Sequence, residues 1–316
     1  MALITEHKIV VFVGGVGGTK LALGLQNIIA PENLTVIVNT GDDFWHYGLR
    51  ICPDIDTVLY TLSGRVNRDF GWGVADDSTI TLDALKSLGE SPWFLLGDKD
   101  MATHLLRSHL LRQGQSLTEI VQHLAQKMGI QSTILPMTDA EVPTIVHTET
   151  HGTLEFQEYF VKHRWQPIVT SLEYHNSHQA SLTDEVTNAI NSADVILFGP
   201  SNPWLSIAPI LEVSEMRATL LSRNIPRIAV TPIVEGKAIK GPAAKLMSEL
   251  GYEVSARSVA DFYGDVITGF VYDQRDTHFE SYDKDSVAFD TIMKTDADKI
   301  RLMREILAWV TQTEGI

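Results

Sequence analysis

A glycine-rich turn near the amino terminus is the first feature of this sequence that could do chemistry. Residues 14–20 read Gly-Gly-Val-Gly-Gly-Thr-Lys and follow a short apolar run. Glycines allow backbone N–H groups to close on an anion at the start of a helix, and the Lys20 ammonium could add positive charge. The turn lacks the third glycine of the dinucleotide fingerprint and the spacing and Lys-Ser/Thr order of a Walker turn. The turn therefore predicts a phosphate site that is neither a dinucleotide site nor a Walker site. The alternative is a tight turn that packs without a ligand.

Three pairs of aspartates are the second chemical feature. They stand at Asp42 and Asp43, at Asp54 and Asp56, and at Asp98 and Asp100. Carboxylate oxygens that meet in one crevice suit a hard divalent cation, which could also contact substrate phosphates. For each pair alone, capping of a helix N-terminus is the competing interpretation, with Asp56 and Asp100 as the candidate caps.

A histidine, a second turn and several aromatic rings add to these candidates. His104 lies four residues after Asp100, so the two side chains could share one helix face, although a lone histidine is more often structural. Residues 199–203, Gly-Pro-Ser-Asn-Pro, could hold a base or a phosphate, or form an ordinary loop. A wall for a planar ring could form from Phe44, Trp45, Phe70, Trp72 and Trp93, for which core packing is the alternative.

Alternating strands and helices must position these groups. Strands are predicted at 8–13, 34–38, 133–136, 144–148, 154–160, 195–200, 227–232 and 270–273. Helices are predicted at 20–29, 56–63, 79–88, 101–113, 117–129 and 297–311, with Ser116 and Glu119 forming a capping box. Four strands end in the turns 14–20, 39–43, 199–203 and 231–240. Because ligands of open parallel sheets bind at the carboxyl ends of strands, we expect these turns to converge.

This alternation predicts the fold class. We expect an α/β protein with a Rossmann-like, mostly parallel sheet, helices on both faces and an inserted helical subdomain. Residues 1–316 are predicted to form a single α/β domain, and residues 55–130 the mostly helical insertion.

Composition restricts the class of partner and the location. A formal net charge of −15 argues against a nucleic acid partner, because phosphate backbones need a basic face. The chain has no run of eighteen apolar residues, so no membrane span is expected. Its first residues do not form a signal peptide, and the single cysteine, Cys52, fits a reducing compartment. These observations predict a cytoplasmic location.

Taken in order, the stretches that carry these features resemble the 2-phospho-L-lactate transferase family, which builds the phosphodiester of the deazaflavin coenzyme F-420. The matches include GGVGGTK (14–20), NTGDDFWHYGLRICPDIDTVLYTLSG (39–64), LGDKDMATHLLRSHLLRQGQSLT (96–118), GPSNPWLSIAPIL (199–211) and TPIVEGKAIKGPAAKLM (231–247). They run over most of the chain in the family's order and spacing. The sequence looks closer to the bacterial branch, which covers phosphoenolpyruvate and phospholactate transferases, than to the archaeal one.

The resemblance implies a reaction. A phospholactyl or phosphoenolpyruvyl group would move from a guanosine diphosphate adduct of lactate or enolpyruvate to the ribityl hydroxyl of the deazaflavin Fo. The products would be F-420-0 or dehydro-F-420-0 and GMP. The resemblance also implies a divalent metal, Mg²⁺ or Mn²⁺, and a homodimer. Whether the donor carries lactate, enolpyruvate or glycerate stays open at this point.

The resemblance also implies residue roles. Metal ligands are implied at Asp42, as the best candidate, and at Asp43, Asp54 and Asp56. Contacts with Fo are implied at Trp45, Asp56, Leu95, Asp98 and His104, and archaeal relatives can carry a basic residue where this chain has Leu95. The guanosine diphosphate cradle is implied at Gly15, Gly17, Gly18, Thr19, Lys20, Ser201, Asn202 and Pro203. Asp42 and Asp56 are the implied catalytic residues, and Asp56 is the candidate to accept the hydroxyl proton.

Two other classes compete with this interpretation. One is a non-catalytic regulatory protein of related fold that binds a nucleotide sugar. The stretch CPDIDTVLYTLSG and the LGDKD segment favour the transferase over this class. The other is an NAD-dependent dehydrogenase, which would place Asp42 or Asp43 on the ribose hydroxyls. The missing third glycine and the many nearby carboxylates speak against it.

Overall fold

The computed structural model describes residues 6–239, 241–277, 279 and 282–314. In chain order its strands are β1 (Ile9–Val13), β2 (Leu34–Val38), β3 (Phe44–His46), β4 (Leu49–Ile51), β5 (Thr133–Pro136), β6 (Thr144–Thr148), β7 (Gly152–Glu155), β8 (Val169–Tyr174), β9 (Val195–Phe198), β10 (Arg227–Val230), β11 (Ile233–Val234), β12 (Lys237–Ala238), β13 (Gly269–Asp273) and β14 (Asp285–Phe289). Its α-helices are α1 (Val16–Gln26), α2 (Pro53–Leu62), α3 (Ile80–Ser87), α4 (Asp98–Arg112), α5 (Leu117–Lys127), α6 (Asp184–Ser192), α7 (Ala208–Leu211), α8 (Met216–Leu221), α9 (Ala243–Glu249), α10 (Ala256–Tyr263) and α11 (Asp296–Glu314). Short 3₁₀ turns span Pro31–Asn33, Ser177–Gln179 and Gly264–Val266, and π-helical turns span Glu158–Lys162 and Pro203–Ile207.

A seven-stranded sheet in the order β14-β13-β10-β9-β1-β2-β5 forms the centre of the molecule. All of its strand pairs are parallel. The chain runs outward from β1 through β2 to β5, and then builds the other half of the sheet from β9 to β14. Such a reversal of strand order leaves a crevice outside the carboxyl ends of the two central strands, here β1 and β9. The predicted α/β class with a parallel sheet is confirmed.

Helices cover both faces of the sheet, which explains why its central strands read as continuous apolar runs. Side chains alternate along β1, so that Ile9, Val11 and Val13 enter one core while Val10 and Phe12 enter the other. The first core lies under α1, α2, α5 and α11. The second lies under α6 to α10 and a separate antiparallel sheet of order β7-β6-β8.

The strand predicted at 154–160 and the first helix differ most from the structure; the helices predicted at 56–63 and 101–113 begin three residues earlier, at Pro53 and Asp98. The strand predicted at 154–160 is wrong beyond Glu155, where the chain turns helical. The reason is that Phe156, Tyr159 and Phe160 have helical spacing, which buries Tyr159 completely and stacks Phe156 on Phe160 with ring centroids 5.4 Å apart. The first helix begins at Val16 instead of residue 20, so its glycines lie within its first turn.

The helix termini decide the capping alternatives. The capping box of Ser116 and Glu119 is confirmed. The capping roles considered for Asp56 and Asp100 are wrong, because α2 has Cys52 as its N-cap and α4 has Gly97. Both aspartates lie inside their helices and are available for other contacts.

Helices α2 to α5 lie between the β3–β4 hairpin and β5, over much of the region predicted as an insertion. The division into one domain with an inserted subdomain stays a prediction. Residue 240, the end of the predicted turn 231–240, lies outside the described residues. Within the described ranges no helix is both long and apolar enough to cross a bilayer.

Candidate active site

The turns that follow β1 and β9 pack directly against each other. The backbone N–H of Gly14 donates a hydrogen bond to Ser201 Oγ at 3.0 Å. A Cβ atom on Gly17 would lie 2.3 Å from the carbonyl oxygen of Pro200, and one on Gly18 would lie 2.6 Å from Ser201 Oγ. These glycines are therefore required by the close approach of two chain segments, whether or not a ligand is bound.

The N-terminus of α1 nevertheless keeps the properties of an anion site. Its N-cap, Gly15, makes no side-chain cap, and no acidic residue stands in the first turn. The helix therefore directs backbone N–H groups and the positive end of its dipole at the crevice. Thr19 Oγ1 donates back to the Gly15 carbonyl at 2.6 Å, and Lys20 Nζ donates to the Met293 carbonyl at 3.1 Å.

Asn202 contributes an unused donor from the opposite turn. Its Oδ1 accepts hydrogen bonds from the backbone N–H groups of Trp204 and Leu205, which fixes the side chain at the start of the π-helical turn that Pro203 opens. Its Nδ2 is buried and has no hydrogen-bond partner among the described residues. Because an unpaired buried donor is costly, this amide suits a ligand acceptor. The eight cradle residues predicted from the sequence thus lie on these two touching segments.

A buried asparagine joins two of the predicted metal ligands. Asn39 Nδ2 donates to Asp42 Oδ1 at 2.8 Å and to Asp54 Oδ2 at 2.9 Å, and its Oδ1 accepts from the Gly41 N–H. Asp42 is 8% exposed and Asp54 is 6% exposed. Asp54 also lies against the glycine turn, since a Cβ on Gly15 would be 2.5 Å from Asp54 Oδ1. The acidic group formed by Asp42, Asp43 and Asp54 therefore adjoins the glycine-rich turn at 14–20, the candidate phosphate turn.

The charges of this acidic group are poorly compensated. Burial raises the pKa of Asp42 well above its usual range, and the neighbouring Asp54 carboxylate raises it further. Burial likewise raises the pKa of Asp54 to about 7. Burial raises the pKa of Asp43 to about 6, against the lowering effect of the Arg50 guanidinium. Both Asp43 oxygens are buried without a hydrogen-bond partner among the described residues.

These features fit a hard divalent cation. Mg²⁺ and Mn²⁺ prefer oxygen ligands, and a dication placed among buried carboxylates would favour their ionised forms. The fit rests on the orphaned oxygens of Asp43 and on the shared amide of Asn39, which is neutral and leaves two negative charges uncompensated.

Asp56 belongs to a different cluster, with Asp100 and His104. One oxygen or nitrogen of each of these three side chains lies within 4.8 Å of the others, a spacing that could also hold a metal ion. However, Arg107, which is fully buried, donates to Asp56 Oδ2 at 3.1 Å and also bonds Asp56 Oδ1. This cluster already contains a cation, and a metal ion here would meet the guanidinium charge. Asp56 thus has a counter-ion of its own in this cluster, although its charge and that of Arg107 still act on Asp43 of the acidic group.

Asp100 contacts both His104 and the neighbouring Tyr60 in this cluster. His104 Nε2 lies 3.1 Å from Asp100 Oδ1, and His104 Nδ1 lies 3.5 Å from Asp56 Oδ2. Tyr60 donates its hydroxyl to Asp100 Oδ1 at 2.7 Å. His104 and Asp100 therefore share a helix face, as their spacing predicts, and the fold adds Asp56 to this buried ion network.

Asp98 and Leu95 lie in the segment that leads into α4. Asp98 accepts hydrogen bonds from the Ile80 and Thr81 N–H groups and from the Ser78 hydroxyl, which hold its pKa well below the usual range. It therefore organises the start of α3. Leu95 is half exposed. The Fo contacts implied for these two residues stay predictions.

Two adjoining clefts open beside the acidic group. The smaller cleft, of about 110 Å³, is lined by residues that include Asp42, Asp43, Arg50, Glu141 and Thr144. The larger cleft, of about 420 Å³, is lined by residues that include Phe44, Trp45, His46, Trp93, Leu154 and Glu158. Phe44, Trp45 and Glu155 line both clefts. Of the five aromatic rings considered, Phe70 and Trp72 instead contact each other outside these linings, with ring centroids 5.6 Å apart and the rings tilted by 31°.

The comparisons with known proteins identify the family. Residues 9–310 match the family model described as 2-phospho-L-lactate transferase CofD. The chain belongs to this family. It is 42% identical over 290 residues to the 2-phospho-L-lactate transferase of Methanococcoides burtonii, an alignment that covers 90% of this chain and 94% of that protein. It is 38% identical over 272 residues to the phosphoenolpyruvate transferase of Mycolicibacterium smegmatis, with 81% and 83% covered.

A solved structure shares the fold of this CofD family member. A UPF0052 family protein from Bacillus halodurans superposes with a TM-score of 0.64 at 14% identity, covering 95% of this chain and 99% of that one. At this identity the likeness shows the fold alone. The predicted family is confirmed by the sequence matches, and with it the prediction that the protein is a transferase.

The sequence patterns indicated no role for three residues of the candidate site and its surroundings, Asn39, Arg50 and Arg107. Asn39 follows the last residue of β2 and lies two residues before the GDD motif, so its position just past a strand end was a usable signal. The two arginines had none, because their roles depend on which carboxylates the folded chain brings beside them.

Proposed function

We propose that this CofD family member transfers a phospholactyl or phosphoenolpyruvyl group from a guanosine diphosphate adduct to a hydroxyl of the deazaflavin Fo, with release of GMP. The observation that carries the proposal is the order of three features along one edge of the sheet. The phosphate turn adjoins the acidic group, and the acidic group lines a cleft that continues into an aromatic one. The names of the two relatives support the choice of transferred group.

The guanosine diphosphate portion is proposed to bind where α1 begins. Backbone N–H groups at Gly15 to Gly18 would bind phosphate oxygens, and Asn202 Nδ2 would donate to the same portion of the donor. Lys20, at the end of this turn, adds positive charge to that end of the crevice.

The acidic group, Asp42, Asp43 and Asp54, is proposed to hold Mg²⁺ or Mn²⁺. When bound, the cation supplies neutralisation of the diphosphate charge, which three carboxylates would otherwise repel. Asp54 lies between the phosphate turn and Asp42, so it would orient the cation toward the phosphates. We assign Asp56 to the Arg107 ion pair instead, where it stiffens the packing of α4 beside the site.

The larger cleft is proposed to bind the Fo ring between Trp45, Trp93 and Phe44. The ribityl hydroxyl oxygen would attack the phosphorus that carries the three-carbon group. A new P–O bond forms, the P–O bond to GMP breaks, and the hydroxyl proton is released. Phosphoryl transfer of this kind depends mainly on positioning and electrostatics. Asp56 is a weak candidate for the proton acceptor, because Arg107 already donates to both of its oxygens.

A cytoplasmic location and a homodimer complete the proposal. The location rests on the single cysteine, Cys52, which is free and buried. The homodimer rests on the resemblance to the family.

The test of the proposed function is a reconstituted reaction. Purified protein is incubated with Fo, MgCl₂ and, in separate reactions, the lactyl, enolpyruvyl and glyceryl adducts of guanosine diphosphate. We expect one adduct to give a phosphodiester of Fo and an equal amount of GMP by mass spectrometry, and EDTA to stop the reaction. Nucleotide binding without turnover of any adduct would instead support the regulatory class.

We expect Trp93→Ala to weaken Fo binding by about tenfold, because the ring loses one aromatic wall of the larger cleft. The intrinsic fluorescence of Fo gives the dissociation constant directly. Trp72→Ala is the matched control, since Trp72 packs against Phe70 outside the cleft. Equal losses in the two variants would contradict the placement of Fo in this cleft.

A further inference from the structure

Arg50 is a buried arginine held from two sides at the edge of the smaller cleft. It lies in β4 opposite Trp45 of β3, and its guanidinium lies 5.8 Å from the Trp45 ring centroid. Its backbone N–H donates to Ser108 Oγ of α4 at 2.7 Å, and the residue is 5% exposed. The side chain is thus fixed in place before any ligand arrives.

Within the described ranges, the partners of the Arg50 guanidinium are loose ones for a buried charge. Its Nη2 lies 3.6 Å from Asp43 Oδ2, and its Nη1 lies 3.5 Å from Glu141 Oε1. Direct arginine–carboxylate hydrogen bonds are about 2.7–2.9 Å long and are often bidentate. Glu141 is also bound by Trp45 Nε1 at 3.0 Å, and more than half of its side chain is exposed. The planar guanidinium of Arg50 is therefore placed to donate hydrogen bonds to an anion that fits it better than these two carboxylates do.

The position of Arg50 indicates which anion this is. Contacts lead from Gly15 to Asp54, and then through Asn39 to Asp42, which lines the smaller cleft together with Arg50. Beyond Arg50, the ring of Trp45 faces both clefts. A group attached to the reacting phosphorus would therefore lie in the smaller cleft, between the nucleotide cradle and the Fo ring.

The size and charge of the smaller cleft match the three-carbon group. Its volume of about 110 Å³ has room for a few heavy atoms and none for a nucleoside or a ring system. The lactyl, enolpyruvyl and glyceryl groups all carry one carboxylate. Near three aspartates and Glu141, such an anion needs a dedicated cation besides the metal, and Arg50 is the buried cation that lines this cleft.

We propose that Arg50 binds the carboxylate of the donor's three-carbon group and makes this CofD transferase selective for donors that carry one. The inference rests on the proposed function and adds a specificity-determining residue to it. Arg50 would form a bidentate pair with that carboxylate.

The experiment compares two donors in the wild type and in Arg50→Gln. The donors are the accepted guanosine adduct and its carboxamide counterpart, which has the same size without the charge. We expect the wild type to prefer the carboxylate donor in kcat/KM, and Arg50→Gln to lose about 10- to 100-fold on that donor and less than about threefold on the carboxamide. Arg50→Lys should keep part of the preference, because it keeps the charge without the fork.

Arg112→Gln is the matched control. Arg112 is an exposed arginine of α4 that donates to the Gly48 carbonyl in the same hairpin, and we expect its variant to keep the wild-type preference. Equal losses on both donors in Arg50→Gln, or a wild type that uses them equally well, would overturn the role of Arg50 and leave the proposed function intact. Should Arg50→Gln melt far below the wild type, the same comparison is made on Arg50→Lys, and an undiminished preference there overturns the fork-specific contact. A wild type that turns over no guanosine adduct would overturn both.

Discussion

We expect Asp42→Asn to lower kcat by about 10²- to 10³-fold and to abolish the stabilisation of the folded protein by Mg²⁺. The substitution keeps the size of the side chain and an oxygen that can accept from Asn39 Nδ2, so the fold should persist. It removes one of two adjacent buried carboxyl groups, and it is burial first, and the neighbouring Asp54 second, that raise the pKa of Asp42. The metal-free variant should therefore melt at a higher temperature than the metal-free wild type.

The measurements are kcat and the melting temperature with MgCl₂ and with EDTA. Asp54→Asn should behave like Asp42→Asn, because Asn39 binds both carboxylates. Asp83→Asn, on the exposed face of α3, is the control and should keep the full Mg²⁺-dependent shift. If Asp100→Asn abolished that shift while Asp42→Asn preserved it, the metal would lie in the cluster of Asp56, Asp100 and His104 instead.

We expect Arg107→Met to lower the free energy of unfolding by about 3–5 kcal/mol. Methionine fills much of the arginine volume but leaves Asp56 buried without its counter-ion. The carbonyl of Arg50, which accepts from Arg107 Nη1 at 3.2 Å, loses that donor as well. Urea denaturation followed by circular dichroism measures the loss.

Two further variants make this second prediction specific. Arg112→Met, in the same helix but exposed, should change the free energy of unfolding by less than about 0.5 kcal/mol. Asp56→Leu combined with Arg107→Met removes both buried charges and should recover a large part of the loss. A loss in Arg107→Met no larger than that in Arg112→Met would show that Asp56 does not depend on this ion pair.

The two predictions together separate two groups of acids that the sequence presents alike. Asp54 and Asp56 are two residues apart on α2, yet they point to different partners. Asp54 meets the glycine turn and Asn39, whereas Asp56 meets Arg107 on α4. One carboxylate is left for a cation from solution, and the other is neutralised within the chain.

Local pattern was enough for the fold class, and it predicted a candidate site at the carboxyl ends of the strands. The apolar run before Gly14 predicted a doubly covered strand, and the glycines that follow predicted a helix start facing an anion. Both predictions depend on contacts between residues near in sequence, which periodicity and composition record. The strand predicted at 154–160 was wrong beyond Glu155 because the short aromatic segment from Phe156 fits the repeat of a strand as well as that of a helix. Its packing partners decide between the two.

By itself the sequence determined that this protein is a parallel α/β transferase of the CofD type, and it predicted a phosphate site at the glycine-rich turn with a metal site among the aspartates. Only the tertiary structure decided which aspartates have a close counter-ion: Asp56 is hydrogen-bonded by Arg107, whereas Arg50 Nη2 stays 3.6 Å from Asp43 Oδ2. Asp56 and Arg107 are 51 residues apart, and they meet because α4 packs on the β3–β4 hairpin beside α2. Arg50 lines the smaller cleft from β4 of the same hairpin, where its backbone N–H is bound to Ser108 of α4. The sequence determines which side chains are charged. Long-range packing determines which opposite charge lies beside each of them, because the interaction between two buried charges depends on their distance in space.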